Sequence, residues 1–326
     1  VKFGLALPHY DFSLPGVPRI EWSHVSQWAQ KAEQLGFSSV WVSDHLFLEL
    51  SRYGGSSQRQ FAMECFTTLA GLSSCTNTVR LGSLVSCNEF RHPALLAKMA
   101  ASLNAISDGR LELGLGAGWY EPEFKSAGIP FSSPGERISR LSESVRLLRT
   151  MLVGQSATFR GTHYQVEGAN NVPLGNNTVP VWIGGKGDRV VKMAGRYADG
   201  YNSSWAWTPE DYRGRIALLN EAAAAAGRDP ESIRKSVGLY CLPGESESEV
   251  EARWLRYRSS SPPGVGAGTQ LKSWRKDKLA GPPDVVAQKI DAFAALGVSE
   301  IILSFGLLPF QIADAGAPQS FMSRHA

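Results

Sequence analysis

Leu111-Glu112-Leu113-Gly114-Leu115-Gly116-Ala117-Gly118 is the stretch on which the fold turns. An apolar run ending in spaced glycines suits either an open dinucleotide-binding sheet or one strand of a closed barrel. In a dinucleotide-binding loop the glycines open directly into a helix whose N-terminus holds pyrophosphate. Here Trp119-Tyr120-Glu121-Pro122 follows, which does not begin a helix cleanly, and the third glycine has the wrong spacing. The stretch therefore reads as a barrel strand. Its end, through Ala117 and Gly118, lets backbone approach a ligand or a crowded neighbour.

Seven further β-type runs lie outward from it, at residues 2–7, 39–42, 79–85, 179–183, 200–203, 235–241 and 300–304. Helical patterns alternate with them at 22–35, 63–72, 93–106, 135–152, 209–226 and 283–296, several with Pro early and Gly late. Eight strand–helix units on a parallel sheet predict an α/β fold, a (β/α)8 TIM barrel forming a single domain over residues 1–326. Three segments break the rhythm: the Gly/Ser-rich 47–60, the aromatic 119–134 and the Ser/Pro/Gly stretch 259–269. They read as insertions at the C-terminal face, lids rather than linkers. Residues 157–166, with Arg160-Gly161 as the turn, predict a hairpin at the edge.

Composition excludes several classes. With 326 residues the chain can bury a large core unaided. No apolar run approaches the roughly 20 residues of a membrane span, and Val1-Lys2-Phe3-Gly4-Leu5 reads as a first core strand, not a signal peptide, so a cytoplasmic protein is expected. The 33 basic and 30 acidic residues are dispersed, with no basic stripe for nucleic acid. Cys65, Cys75, Cys87 and Cys241 lack C-x-x-C spacing and read as reduced thiols. The six histidines are scattered, and no H-E-x-x-H, EF-hand or G-x-S-x-G spacing occurs, so no metal is expected.

Four places carry candidate chemistry. Val40-Trp41-Val42-Ser43-Asp44-His45 delivers an acid and an imidazole where a strand ends, and imidazole exchanges protons near neutral pH; a capped strand end is the plainer alternative. Ser83-Leu84-Val85-Ser86-Cys87-Asn88 offers small side chains against which a flat ligand could lie. Val181-Trp182-Ile183-Gly184-Gly185-Lys186-Gly187-Asp188 runs through glycines into a helix, an arrangement suited to phosphate. Trp119, Tyr120, Trp205 and Trp207 lie beyond strand ends, where they build an apolar bowl or pack the rim.

Ser43-Asp44-His45, Arg91-His92-Pro93-Ala94-Leu95-Leu96-Ala97-Lys98, Gly109-Arg110-Leu111-Glu112-Leu113-Gly114 and Pro180-Val181-Trp182-Ile183-Gly184-Gly185, in this order, together resemble the bacterial luciferase-like monooxygenase superfamily. Within it the chain looks most like the coenzyme F420-dependent oxidoreductases. The resemblance implies a barrel holding F420, or alternatively reduced FMN, at its C-terminal mouth. It gives His45 the role of proton donor or anion stabiliser. Cofactor contacts fall to Asp44, Leu84, Val85, Cys87, Ala117 and Gly118, and phosphate contacts to Gly184, Gly185, Lys186 and Gly187. It also implies a non-prolyl cis peptide near Leu84–Val85.

In the family's sugar-phosphate dehydrogenases a carboxylate follows the glycines of the fourth strand. Here Trp119 stands there, which argues for a largely apolar small-molecule substrate against Trp119, Tyr120, Trp205 and Trp207. The expected reaction is hydride transfer between reduced F420 and that substrate. The alternative is a two-component flavin monooxygenase using FMN, oxygen and a separate reductase. The family is compatible with a homodimer. A hydrolase of the same fold, which would want paired carboxylates, and a non-catalytic flavin carrier are the remaining rivals.

Overall fold

The computed structural model describes residues 1–154, 156–170 and 178–325. Eight parallel strands form the barrel: β1 (Lys2–Ala6), β2 (Ser39–Val42), β3 (Arg80–Ser83), β4 (Leu111–Gly116), β5 (Val181–Gly184), β6 (Gly200–Trp205), β7 (Arg234–Pro243) and β8 (Val298–Ser304). Neighbours in sequence pair, β8 returns to β1, and the ring closes without an edge. The deciding stretch lies at the centre of that closure: Leu113, Gly114 and Leu115 of β4 are in register with Val181, Trp182 and Ile183 of β5.

The interior is filled by large residues set against small ones. Trp41 and Trp182 meet edge to face at 6.1 Å, both fully buried. A Cβ at Gly82 would fall 2.1 Å from the Trp41 ring, and one at Gly200 would fall 2.2 Å from Trp182. Toward the N-terminal end the buried Glu112 accepts from Trp182 Nε1 at 2.6 Å and from Arg234 at 2.8 and 2.7 Å, and pairs with Arg80. Charge thus closes the end away from the mouth.

The surrounding helices begin where local chemistry says they should. Ser133 caps Pro134–Met151 and Thr208 caps Pro209–Ala225, each with proline in the first turn. Trp22–Gln34 buries Val25, Ala29 and Ala32, the inner face of its predicted stripe.

Several expectations need correction. The run at 79–85 leaves the sheet after Ser83, and Ser86–Cys87 rejoin it beside β4. A helix does begin after Tyr120, at Glu121–Ala127 with Pro122 in its first turn. That ground for rejecting a dinucleotide loop therefore fails, and strand pairing settles the matter instead. The edge hairpin forms from Ala157–Arg160 and Gln165–Ala169, but its turn spans residues 161–164, not Arg160-Gly161.

Two of the three insertions meet over the barrel. Phe47–Glu49 and Arg59–Phe61 make an antiparallel hairpin, and the 259–269 segment reaches it through Gly266 N–H donating to the Tyr53 carbonyl at 3.3 Å. Among the described residues, no helix is long and apolar enough to cross a membrane, no His/Cys/Asp/Glu group has the makings of a metal site, and the four cysteines are free.

Candidate active site at the C-terminal mouth

The β2 end places Ser43, Asp44 and His45 consecutively, and the structure sends each in a different direction. His45 donates Nδ1–H to Glu123 Oε1 at 2.7 Å, while Glu123 Oε2 accepts from Leu46 N–H at 2.9 Å. Glu123 is buried; the His45 side chain keeps 17% of its exposure. The carboxylate fixes ring orientation and tautomer and, among the described residues, leaves Nε2 without a hydrogen-bond partner.

Glu123 is the residue that reading the sequence missed. The carboxylate thought absent from the end of the fourth strand is present. It arrives four residues after Trp119, on the first turn of the Glu121–Ala127 helix. Trp119 therefore does not remove a proton-transfer group from the mouth, and the case it made against polar substrates loses that support.

Asp44 turns the other way. Arg91 grips it with Nη1–Oδ2 at 2.6 Å and Nη2–Oδ1 at 3.0 Å, and Oδ2 also accepts from Ser86 Oγ at 3.1 Å and Cys87 N–H at 2.9 Å. Arg91 in addition pairs with Glu64. Bidentate to the buried Asp44, this pair holds the chain between β3 and the following helix against β2.

Immediately before Ser86, the Leu84–Val85 peptide is cis, where the resemblance implies one. A second non-prolyl cis peptide, Ser204–Trp205, was not foreseen. Val85 projects among glycines of two neighbouring strands. A Cβ would come within 3.0 Å of it at Gly114, and within 2.6 Å at Gly116 and at Gly184. The close approach read from the glycines of β4 is thus met by a protein side chain. Gly118, at φ +74°, turns the chain beneath Phe124 and beside the Cys87 sulfur. Burial pushes the Cys87 thiol far above its usual value, so it is an inert wall.

The glycine turn divides into parts. Gly185 spends its N–H on the Asn202 carbonyl and its C=O on Tyr201 Oη, and both bonds shape the turn itself. Gly187 is the N-cap of helix Asp188–Tyr197, with no side-chain cap, and a Cβ there would meet nothing within 4 Å. Uncapped amides with open space before them fit a phosphate, and Arg215 neutralises the nearby Asp188 carboxylate at 2.5 Å. Lys186 sends its ammonium elsewhere, to 5.0 Å from the Trp207 ring.

The aromatics are not equivalent. Trp119 is 48% exposed and stands 5.4 Å from the His45 ring, edge to face. Tyr120 is buried, and its Oη accepts from Glu49 N–H at 3.2 Å, so it supports the wall without presenting a face. Trp205 is half-buried against Phe310 and Tyr240, and Trp207 donates Nε1–H to Ser203 Oγ at 3.2 Å.

Beneath the mouth lies a network that no sequence signal announced. His9 Nδ1–H donates to the Leu7 carbonyl at 2.8 Å, and Nε2 faces Ser43 Oγ at 2.9 Å and Ser43 N–H at 3.2 Å. Tyr10 Oη bonds the same Ser43 hydroxyl. Burial pulls the His9 pKa down to about 4, so the ring is neutral at pH 7.

Comparison with known proteins places this arrangement. A hydroxymycolic acid dehydrogenase from Mycobacterium tuberculosis (strain ATCC 25618 / H37Rv), described as F420-dependent, is 32% identical over 227 residues, 69% of this chain and 60% of that protein. The pyrimidine monooxygenase RutA of Escherichia coli (strain SMS-3-5 / SECEC) is 27% identical over 83% of this chain and 73% of its own length. Among solved structures, an F420-dependent secondary alcohol dehydrogenase in complex with an F420–acetone adduct superposes with a TM-score of 0.78 at 20% identity, covering 99% of this chain and 97% of that one. The match to the mycobacterial dehydrogenase thus spans less than two thirds of that protein. The luciferase-like monooxygenase family model matches residues 1–300, and the chain belongs to that family.

Proposed function

We propose that the protein is an oxidoreductase that binds coenzyme F420 at the mouth of the barrel and moves a hydride between it and an organic substrate. The observation that carries this reading is the buried Glu123 carboxylate that holds His45 Nδ1 at 2.7 Å where β2 ends at the mouth of the barrel. Bound F420 supplies hydride chemistry with little reactivity toward oxygen. The chain supplies the rest. The first-turn amides of helix Asp188–Tyr197 hold the phosphate, and Leu84 and Val85, locked by Asp44 and Arg91, back the ring. His45 Nε2 gives or takes the proton at the substrate heteroatom while Glu123 steadies the imidazole. Trp119 and the 47–61 hairpin limit access of water. The identity to F420-dependent dehydrogenases supports this choice of coenzyme.

The second reading, an FMN-dependent monooxygenase served by a separate reductase, is favoured by the likeness to the pyrimidine monooxygenase. Calorimetric titration of the purified protein with F420 and with FMN separates the two. The proposal expects F420 to bind at least tenfold more tightly. FMN binding more tightly would transfer the mechanism to the second reading, and binding of neither would end both.

A further inference from the structure

The rim that includes the glycine turn carries more positive charge than the chain itself neutralises. Lys186 extends from the turn after β5 to the face of Trp207 at 5.0 Å. Lys278, buried just before the short strand Leu279–Gly281, lies 5.5 Å from the Tyr240 ring and 5.7 Å from that of Trp274. Arg52, on the insertion after β2, stacks over Trp119 at 4.4 Å. The Trp207 N–H bonds the Asp277 carbonyl at 3.3 Å, which draws the β6 loop onto the Lys278 segment. Trp205 meets Tyr240 at 5.7 Å and completes the wall.

Lys278 and Arg52 stand near enough to Lys186 to oppose its ionisation, after the desolvation that is the main cause of its lowered pKa. Among the described residues, the Lys186 and Arg52 head groups have no carboxylate within ion-pair distance. The one carboxylate that answers the cluster is Asp277, at 2.5 Å from Lys278. Three cations from three separate loops therefore share one counter-charge, and each is laid against an aromatic face that orients it. Gathering like charges at a mouth is unfavourable until an anion arrives, and the same field draws that anion in.

We propose that the substrate carries an anionic group, a carboxylate or a phosphate ester, joined to an apolar or aromatic body. Arg52, Lys186 and Lys278 receive the anion at the rim, while Trp119, Trp205 and Trp207 flank the body. The proposal rests on the coenzyme reading above, and it narrows the apolar substrate read from the sequence to an amphiphilic anion. Trp119 lies between Arg52 and His45, with ring contacts of 4.4 and 5.4 Å, so a group held at Arg52 is one indole away from the proton-exchanging imidazole.

The acidic tail of the coenzyme is the other source of such an anion, and the experiment separates the two. 2-Naphthoate and the neutral 2-naphthamide are titrated by calorimetry into the full chain saturated with F420, and F420 is titrated separately. The wild-type protein should bind naphthoate at least tenfold more tightly than naphthamide, with the preference shrinking as salt is added. Arg52→Ala and Lys278→Ala should each cut the preference below threefold while changing the F420 Kd by less than threefold. Arg52 is exposed, so its variant keeps the test decisive if the buried Lys278 variant misfolds. No preference in the wild type, or a preference that survives Arg52→Ala, overturns the proposal. A tenfold loss of F420 affinity in Arg52→Ala also overturns it, by assigning the cluster to the coenzyme tail. Failure of F420 to bind the wild-type protein is a separate result, which sinks the coenzyme reading.

Discussion

Acidification should dismantle the active site from beneath, through His9. Its ring is fully buried and neutral, with Nδ1–H given to the Leu7 carbonyl and Nε2 accepting from Ser43. Burial lowers its pKa from 6.5 to about 4. In the unfolded chain the same imidazole takes a proton near 6.5, so between those values the unfolded state holds more protons and stability falls as pH falls. The stabilisation is complete above pH 6.5 and lost as pH approaches 4. The displacement is worth about 3 kcal/mol in full, and about 2.5 kcal/mol at pH 4.5. Carboxylates held below their ordinary pKa, among them Glu33, Glu64 and Asp314, also lose stabilisation as pH falls, so the wild-type slope alone does not isolate His9. Urea unfolding of wild type and His9→Gln at pH 7 and pH 4.5 does. Glutamine keeps an acceptor for Ser43 without a titrating ring, and the pH-dependent loss should shrink by about 2.5 kcal/mol in the variant. Equal losses in the two proteins would refute the reasoning, and Ser43 would then need another explanation for its place beside Asp44 and His45.

Three further outcomes follow from the geometry. Gly184→Ala brings a Cβ to 2.6 Å from Val85, and overpacking of this kind should cost about 1–3 kcal/mol by thermal denaturation, with F420 affinity falling as the bulge shifts; an unchanged midpoint would show that Val85 yields. Asp44→Asn leaves the partly buried Arg91 with Glu64 as its remaining carboxylate, and should cost about 3 kcal/mol in urea titrations. His45→Ala and Glu123→Gln should lower single-turnover oxidation of reduced F420 by about 10²-fold or more, the first by removing the proton and the second by releasing its orientation, while the F420 Kd moves less than threefold. Wild-type rates in stopped flow would remove the pair from the mechanism.

Much of this architecture was legible along the chain because its signals are local. Pro93 and Ile106 bound a helix with the limits its pattern predicts, and Ser39–Val42 is a strand at the positions read from the sequence. The cis Leu84–Val85 bond fell where the family motif puts it. The errors came where the deciding partner is distant. Glu123 is 78 positions from His45, and nothing in Tyr120-Glu121-Pro122-Glu123 says which acid will turn inward. The glycines of β4 implied a close neighbour without naming it, because a missing side chain does not reveal what occupies its space; at Gly116 it is Val85, and at Gly114 the Ser83 carbonyl lies nearer still. Nothing on the strand that carries Asp44 foretells that Arg91, 47 positions on, will grip it.

What the sequence determined by itself is the periodic order of strands and helices, and with it the number of barrel staves and the end at which chemistry collects. Those follow from alternation, capping and turn residues, each acting over a few positions. Only the tertiary structure decided which polar groups are spent on one another: Asp44 on Arg91, Ser43 on His9 and Tyr10, and His45 on Glu123. Closing eight strands into a ring brings loops far apart in the chain to one mouth. Hydrogen-bond saturation within that mouth, a property of distance and angle between side chains, leaves His45 Nε2 and the Lys186 and Arg52 head groups available to a ligand.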